Sequence, residues 1–157
     1  MGTDTWLYGA VGKDIAGHKI IEILLQNNIS SRVCQDAEMT TIKTRMVGQN
    51  GQHLLRVDKE LSYTKSTVED ELLKYLVDTD TVLISDYNKG VIQKDTVQKI
   101  LTKCKNVYVD PKQGFSRYIG AFLVKPNMKE YEAWFGKFHI KIAQERCESN
   151  LWTWLIA

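Results

Sequence analysis

Four short runs of consecutive apolar residues, separated by helix-like stripes, constrain this chain more than any other feature. They are Val82-Leu83-Ile84, Val107-Tyr108-Val109, Phe122-Leu123-Val124 and Trp152-Thr153-Trp154-Leu155-Ile156. A strand that is apolar in both directions has to be covered on both faces, and strands that alternate with helices pair in parallel. The pattern therefore predicts an α/β fold: a mostly parallel sheet flanked by helices. Trp6-Leu7-Tyr8-Gly9-Ala10-Val11 reads as one more buried strand. Helical periodicity marks four stripes. Ala16, Gly17, Ile20, Ile21, Leu24 and Leu25 form the first, closed by Asn27-Asn28. Val68, Leu72, Leu73 and Leu76 form the second, with Ser66-Thr67 as its cap and Glu69-Asp70-Glu71 in its first turn. Val97, Ile100, Leu101 and Cys104 mark the third, and Tyr131, Trp134 and Phe135 the fourth.

One stretch breaks this rhythm. Thr41 to Val47 and Gln52 to Asp58 flank Gly48-Gln49-Asn50-Gly51, which predicts an antiparallel hairpin, half exposed and projecting from the main sheet over about residues 39–58. Lys43 and Arg45 share one strand face, and Arg56 joins them if the register allows, with Asp58 beside it. Such a face suits a phosphorylated polyol through bidentate arginine contacts, or is simply a solvated strand face. An apolar strand at each extremity reads as a segment of a longer domain, so residues 1–157 are expected to form a single partial domain.

Polar residues gather where ligands bind in open parallel sheets, beyond the carboxyl ends of the strands. Ser85-Asp86-Tyr87-Asn88-Lys89-Gly90, Asp110-Pro111-Lys112 and Lys125-Pro126-Asn127-Met128-Lys129-Glu130 each follow an apolar run. Acid and lysine together at three strand ends suit an anionic, hydroxylated ligand with a bridging metal. Taken singly, each has a plain alternative as helix capping. The glycines of Gly9-Ala10-Val11-Gly12-Lys13-Asp14-Ile15-Ala16-Gly17 fit neither a P-loop nor a dinucleotide fingerprint. Close packing of strand on helix with a left-handed turn is the other reading.

Several classes are excluded by composition. A net charge of +2 lacks the basic stripe of a nucleic-acid binder. No apolar run approaches the ~20 residues that cross a bilayer, and the start has no basic and apolar leader pattern. No nucleic-acid or membrane partner is expected, and a cytoplasmic location is. Cys34, Cys104 and Cys147 are scattered, as are His18, His53 and His139, so no protein-built metal knuckle is predicted.

The ordered series of these motifs resembles the PfkB-type (ribokinase-like) sugar kinases. Gly9-x-Val11-Gly12-x-Asp14-x-x-Gly17 is similar to a glycine stretch of that family, and Asn127-x-x-Glu130 to its NxxE motif. Thr41-x-Lys43-x-Arg45, Gln52 to Asp58, Ser85-Asp86-Tyr87-x-Lys89-Gly90 and Asp110-Pro111-Lys112 resemble the heptose-7-phosphate kinase branch, the kinase domain of ADP-heptose synthases. The resemblance implies ATP-dependent phosphorylation of the anomeric hydroxyl of D-glycero-D-manno-heptose 7-phosphate, with ATP and Mg2+ as cofactors, in making ADP-heptose for lipopolysaccharide. It implies that Lys43, Arg45, Arg56 and Asp58 lie on a β-lid over the sugar phosphate. Asp86 and Lys89 would face sugar or phosphates. Asn127, Glu130 and Lys112 would serve the nucleotide phosphates and magnesium. A homodimer through the hairpin is a further implication. The family's N-terminal Gly-Asn signature and its C-terminal GAGD motif, which carries the catalytic base, have no counterpart here. Little or no turnover is therefore expected of this chain alone.

Overall fold

The computed structural model describes residues 4–61, 63, 68–76, 79–112, 114–139 and 153–154. Ser66-Thr67, Cys147, Trp152, Leu155 and Ile156 fall outside them. The chain divides into two compact units, Met1–Val68 and Glu69–Ala157.

The first unit opens with a parallel strand–helix–strand motif, β1 (Leu7–Gly12), α1 (Ile15–Gln26) and β2 (Ser31–Ala37), in which Leu7 pairs with Ser31 and Gly9 with Val33. Asp14 starts α1 by accepting a hydrogen bond from the Gly17 amide, satisfying one of the donors that a helix start leaves unpaired. Asn27 ends it, its side chain donating to the Ile23 carbonyl, and Asn28 turns the chain with φ 53°. The glycine stretch works through lack of room. A Cβ on Gly17 would lie 2.1 Å from the Gly12 carbonyl oxygen, and one on Gly12 would lie 2.7 Å from the Met39 Cα. None of Gly9, Gly12 and Gly17 has a positive φ, so the expected left-handed turn is absent and close packing alone requires the glycines. The α1 stripe is less buried than its period implies: Gly17 and Leu24 are buried, whereas Leu25 is 70% exposed. Two strands about 4.8 Å apart are narrower than the apolar face of a helix.

A hairpin follows, β3 (Ile42–Val47) and β4 (His53–Lys59), turned by Gly48 and Gly51, the latter at φ 74°. Lys43 pairs with Asp58, Thr44 with Val57 and Arg45 with Arg56. Every residue of both strands is exposed, where half exposure was expected. Among the described residues of the first unit no layer covers either face of this two-stranded ribbon.

The second unit contains α2 (Val68–Tyr75, shared at its first residue with the first unit), β5 (Thr81–Asp86), α3 (Lys94–Lys103), β6 (Asn106–Pro111), a 3-10 turn (Phe115–Tyr118), β7 (Leu123–Val124), α4 (Met128–Phe135) and β8 (Thr153–Trp154). The strands form one parallel sheet in the order β5-β6-β7-β8. Ile84, Val107, Val109 and Val124 form its core with Leu76, Val97, Ile100 and Tyr118, each fully buried aliphatic side chain contributing about 1.5–3 kcal/mol. Glu69 fastens α2 to α3 by accepting from Thr96 and Lys99, which hold its carboxyl below the usual carboxylate range. The expectation of cover on both faces is corrected here. Leu83 is 75% exposed and Phe122, against Tyr108, is exposed too, so among the described residues the buried core lies on one face of the sheet.

Candidate functional site

The carboxyl ends of β5, β6 and the β7–α4 connection meet at an open cleft of about 230 Å³ within the second unit. Asp86 and Tyr87 come from β5 and the bend after it. Asp110, Pro111 and Lys112 come from β6, and Lys125, Asn127 and Glu130 from the approach to α4. Topology creates this convergence: parallel strands point the same ends of successive segments at one rim.

Asp86 forms the floor, and its carboxylate is fully engaged. Oδ1 accepts from the Asn88 amide at 2.7 Å, and Oδ2 accepts from the Tyr118 hydroxyl at 2.5 Å and pairs with Arg117 Nη1 at 3.3 Å. Burial, reinforced by the bond to Asp86, pushes the Tyr118 phenol well above its ordinary pKa. The walls pair lysine with acid: Lys112 Nζ lies 3.4 Å from Glu130 Oε1, and Lys125 Nζ lies 3.7 Å from Asp110 Oδ1. Asn127-x-x-Glu130 is a capping box. The Asn127 side chain accepts from the Glu130 amide, and Glu130 Oε2 accepts from the Asn127 amide, each at 2.9 Å. Its first task is thus to begin α4 at the cleft; the same box sets Glu130 where Lys112 reaches it.

The hairpin makes a second cluster, in the first unit. Residues directly opposite across an antiparallel pair point to one face, so Lys43, Arg45, Arg56 and Asp58 all share a face. Arg56 grips Asp58 by two bonds of 2.7 Å, which hold the Asp58 carboxyl below and the Arg56 guanidinium above their ordinary pKa values. Arg45 stands opposite Arg56, a like-charge pairing that the neighbouring Asp58 offsets in part. Just before the ribbon, the Thr40 amide and hydroxyl donate to Asp14 at 2.8 and 2.7 Å, and Thr40 Oγ accepts from the Gly12 amide. The Thr40 bonds, with that from Gly17, lower the Asp14 carboxyl to about 2.

Of the residues singled out in the sequence, Asp86, Lys112, Asn127 and Glu130 come together at the cleft, and Lys43, Arg45, Arg56 and Asp58 come together on the ribbon. Lys89 does not line the cleft; it sits in the bend that follows Asp86. Tyr87, Asp110 and Lys125 line it without having been assigned a role, although all three stood in the polar strand-end runs. Arg117 and Tyr118 carried no signal in sequence. Chemically, the rim suits magnesium held jointly by a carboxylate, waters and phosphate oxygens, since that ion keeps several waters and seldom takes an all-protein cage. Among the described residues no three acid, histidine or cysteine side chains cluster to hold a metal by themselves.

The sequence profile described as pfkB family carbohydrate kinase matches residues 1–151. This chain belongs to that family. Among curated members, the bifunctional protein HldE of Sulfurimonas denitrificans is 35% identical over 142 residues, 83% of this chain and 30% of that protein. HldE of Helicobacter pylori strain J99 is 36% identical over 152 residues, 87% of this chain and 31% of that protein. The pfkB-family chain therefore spans about a third of the length of these relatives. Ribokinase from Giardia lamblia superposes with a TM-score of 0.68 at 18% identity, covering 92% of this chain and 49% of that one. Phosphofructokinase-2 from Escherichia coli, in complex with fructose-6-phosphate, gives 0.67 at 16% identity, covering 94% and 54%. The fold is ribokinase-like. No helix among the described residues is long and apolar enough to cross a membrane.

Proposed function

We propose that this pfkB-family chain carries the sugar-phosphate and nucleotide sites of an ATP-dependent kinase acting on the anomeric hydroxyl of D-glycero-D-manno-heptose 7-phosphate. The observation that carries the reading is the hairpin register: three cations, Lys43, Arg45 and Arg56, on one face, with two arginines opposed. Asp58 offsets one of the three positive charges, and a phosphate would offset the others. Heptose as the sugar is supported by the relatives named HldE at 35 and 36% identity.

In this reading Lys43, Arg45 and Arg56 hold the 7-phosphate, Asp58 keeps Arg56 extended, and Lys89 contributes to the sugar site. Asp86 shapes the cleft floor. Lys112, Asn127 and Glu130 serve the nucleotide phosphates and Mg2+. Phosphoryl transfer depends on positioning and charge neutralisation more than on covalent participation of the protein. The anomeric oxygen forms a bond to the γ-phosphorus, the bond to the β,γ-bridging oxygen breaks, and the hydroxyl proton goes to a base. No residue of this chain matches the family's GAGD base segment, so the 157-residue chain is expected to bind rather than to turn over.

Calorimetric titration of the chain tests this. Heptose 7-phosphate should bind, the unphosphorylated heptose should bind far more weakly, and Lys43→Ala with Arg45→Ala should abolish the difference. Equal binding of both sugars by the unaltered chain would overturn the assignment; preference for another phosphorylated sugar would move it within the family. A second reading, a dimerisation module, is favoured by one observation: Ile42, Met46, Leu55 and Val57 share the opposite face of the ribbon and are all exposed. Sedimentation of the chain with and without Met46→Asp and Leu55→Asp tests a homodimer through that face.

A further inference from the structure

We propose that Arg117 and Tyr118 are positioning residues that clamp Asp86 and the bend over residues 87–92, thereby fixing the cleft floor against which a nucleotide's phosphates bind. The proposal rests on the nucleotide site proposed above and adds to it two residues outside the cleft lining.

The bend is a conformation in need of support. It follows the last residue of β5 and contains Asn88 at φ 54° and Gly90 at φ 84°. Glycine adopts this region freely, whereas Asn88, though asparagine tolerates it better than other side chains, occupies it at some cost. Arg117 reaches this segment at three places: Nη1 to Asp86 Oδ2 at 3.3 Å, Nη1 to Asn88 Oδ1 at 3.4 Å, and Nη2 to the Ile92 carbonyl at 2.6 Å. One planar guanidinium thus spans both ends and the middle of the bend, a reach that a lysine's single point charge lacks. Tyr118, with no exposed surface, donates to the same Asp86 oxygen, and the Asn88 amide occupies the other. Gln98 of α3 in turn holds the Arg117 carbonyl at 2.8 Å.

The arrangement serves geometry better than stability. The Asp86 and Arg117 side chains are 4% and 16% exposed, and a buried ion pair recovers little beyond the cost of desolvating both charges. Among the described residues Arg117 Nε moreover finds no acceptor although it is buried, a further desolvation cost. What the arrangement secures is a single orientation for a carboxylate and a bend that border the cleft. Tyr87, the next residue, lines that cleft.

The test combines amide hydrogen exchange with titration of MgATP, both on the 157-residue chain. Tyr118→Phe keeps the ring in the core and removes only the hydroxyl. It should speed exchange at the residue-88 amide by about tenfold, the worth of a bond to a charged acceptor, while Val109 and Ile100 amides keep their rates. MgATP affinity should fall by about fivefold or more, within the usual span of coupling between sites. Arg117→Lys, which retains the charge, should reproduce both effects. In an Asp86→Asn background Tyr118→Phe should add little, because both act through one carboxylate. Faster exchange spread evenly through the core, or an unchanged rate at residue 88, would overturn the clamp. An unaltered chain that binds no MgATP would overturn the nucleotide reading, and the exchange rates would still decide the clamp.

Discussion

Arg56–Asp58 and Arg117–Asp86 are both arginine–aspartate pairs, and they differ in almost every physical respect. Arg56 and Asp58 meet on an exposed ribbon, 49% and 31% exposed, through two bonds of 2.7 Å. Arg117 and Asp86 meet under the sheet rim, nearly enclosed, through one longer contact shared with a tyrosine. The shorter, better aligned pair is the more expendable of the two. Water and salt replace its partners at little cost. The buried pair has no such substitute, which suits scaffolding. Contact geometry alone would have ranked them the other way.

The largest effect that could break this contrast is removal of the buried acid. Asp86→Ala leaves Arg117 desolvated and unpaired and should cost about 3 kcal/mol in stability, read from urea unfolding of the second unit's helices by circular dichroism. Arg56→Ala should leave the unfolding midpoint where it is; equal shifts would refute the distinction. Next in size is crowding in the first unit. Gly17→Ala places a methyl group 2.1 Å from the Gly12 oxygen and should destabilise by about 1–3 kcal/mol, whereas Gly9→Ala meets open space and should be nearly silent in the same thermal melt.

A smaller effect separates the units by pH. Hydrogen bonds from Thr40 and Gly17 hold the Asp14 carboxyl at about 2 against its ordinary 3.8. A depressed carboxyl stabilises the fold above its unfolded value and loses that contribution as pH falls through the folded one. Acid should therefore weaken the first unit between about pH 4 and pH 2, and Asp14→Asn should flatten that dependence in a fluorescence titration. The smallest effect is that of salt, which screens exposed charges. Rising ionic strength should weaken sugar-phosphate binding at the ribbon while residue-88 amide exchange stays constant.

Much of this architecture was legible beforehand. The apolar runs at Val82, Val107 and Leu123 became β5, β6 and β7 because short apolar runs alternating with helical stripes mark parallel strands even where one face stays open. Asn127-x-x-Glu130 was legible as a cap because the box is local. β2 was not, because Arg32, Gln35 and Asp36 interrupt any apolar period on a half-buried strand. Lys43 and Arg45 could be placed on one face from period two alone, but Arg56 joined them only once the turn had set the register. Arg117 and Tyr118 gave no signal, since their partner is Asp86, about thirty residues earlier, and no local pattern encodes such a pairing.

The amino-acid sequence by itself determined which segments extend, which coil, where helices begin and which charges alternate along a strand, all properties of neighbours within a few positions. Tertiary structure alone decided that Asp58 stays in water and Asp86 does not. Burial depends on what the rest of the chain brings to a side chain, and the same carboxylate is an exchangeable partner in one surrounding and a fixed anchor in the other.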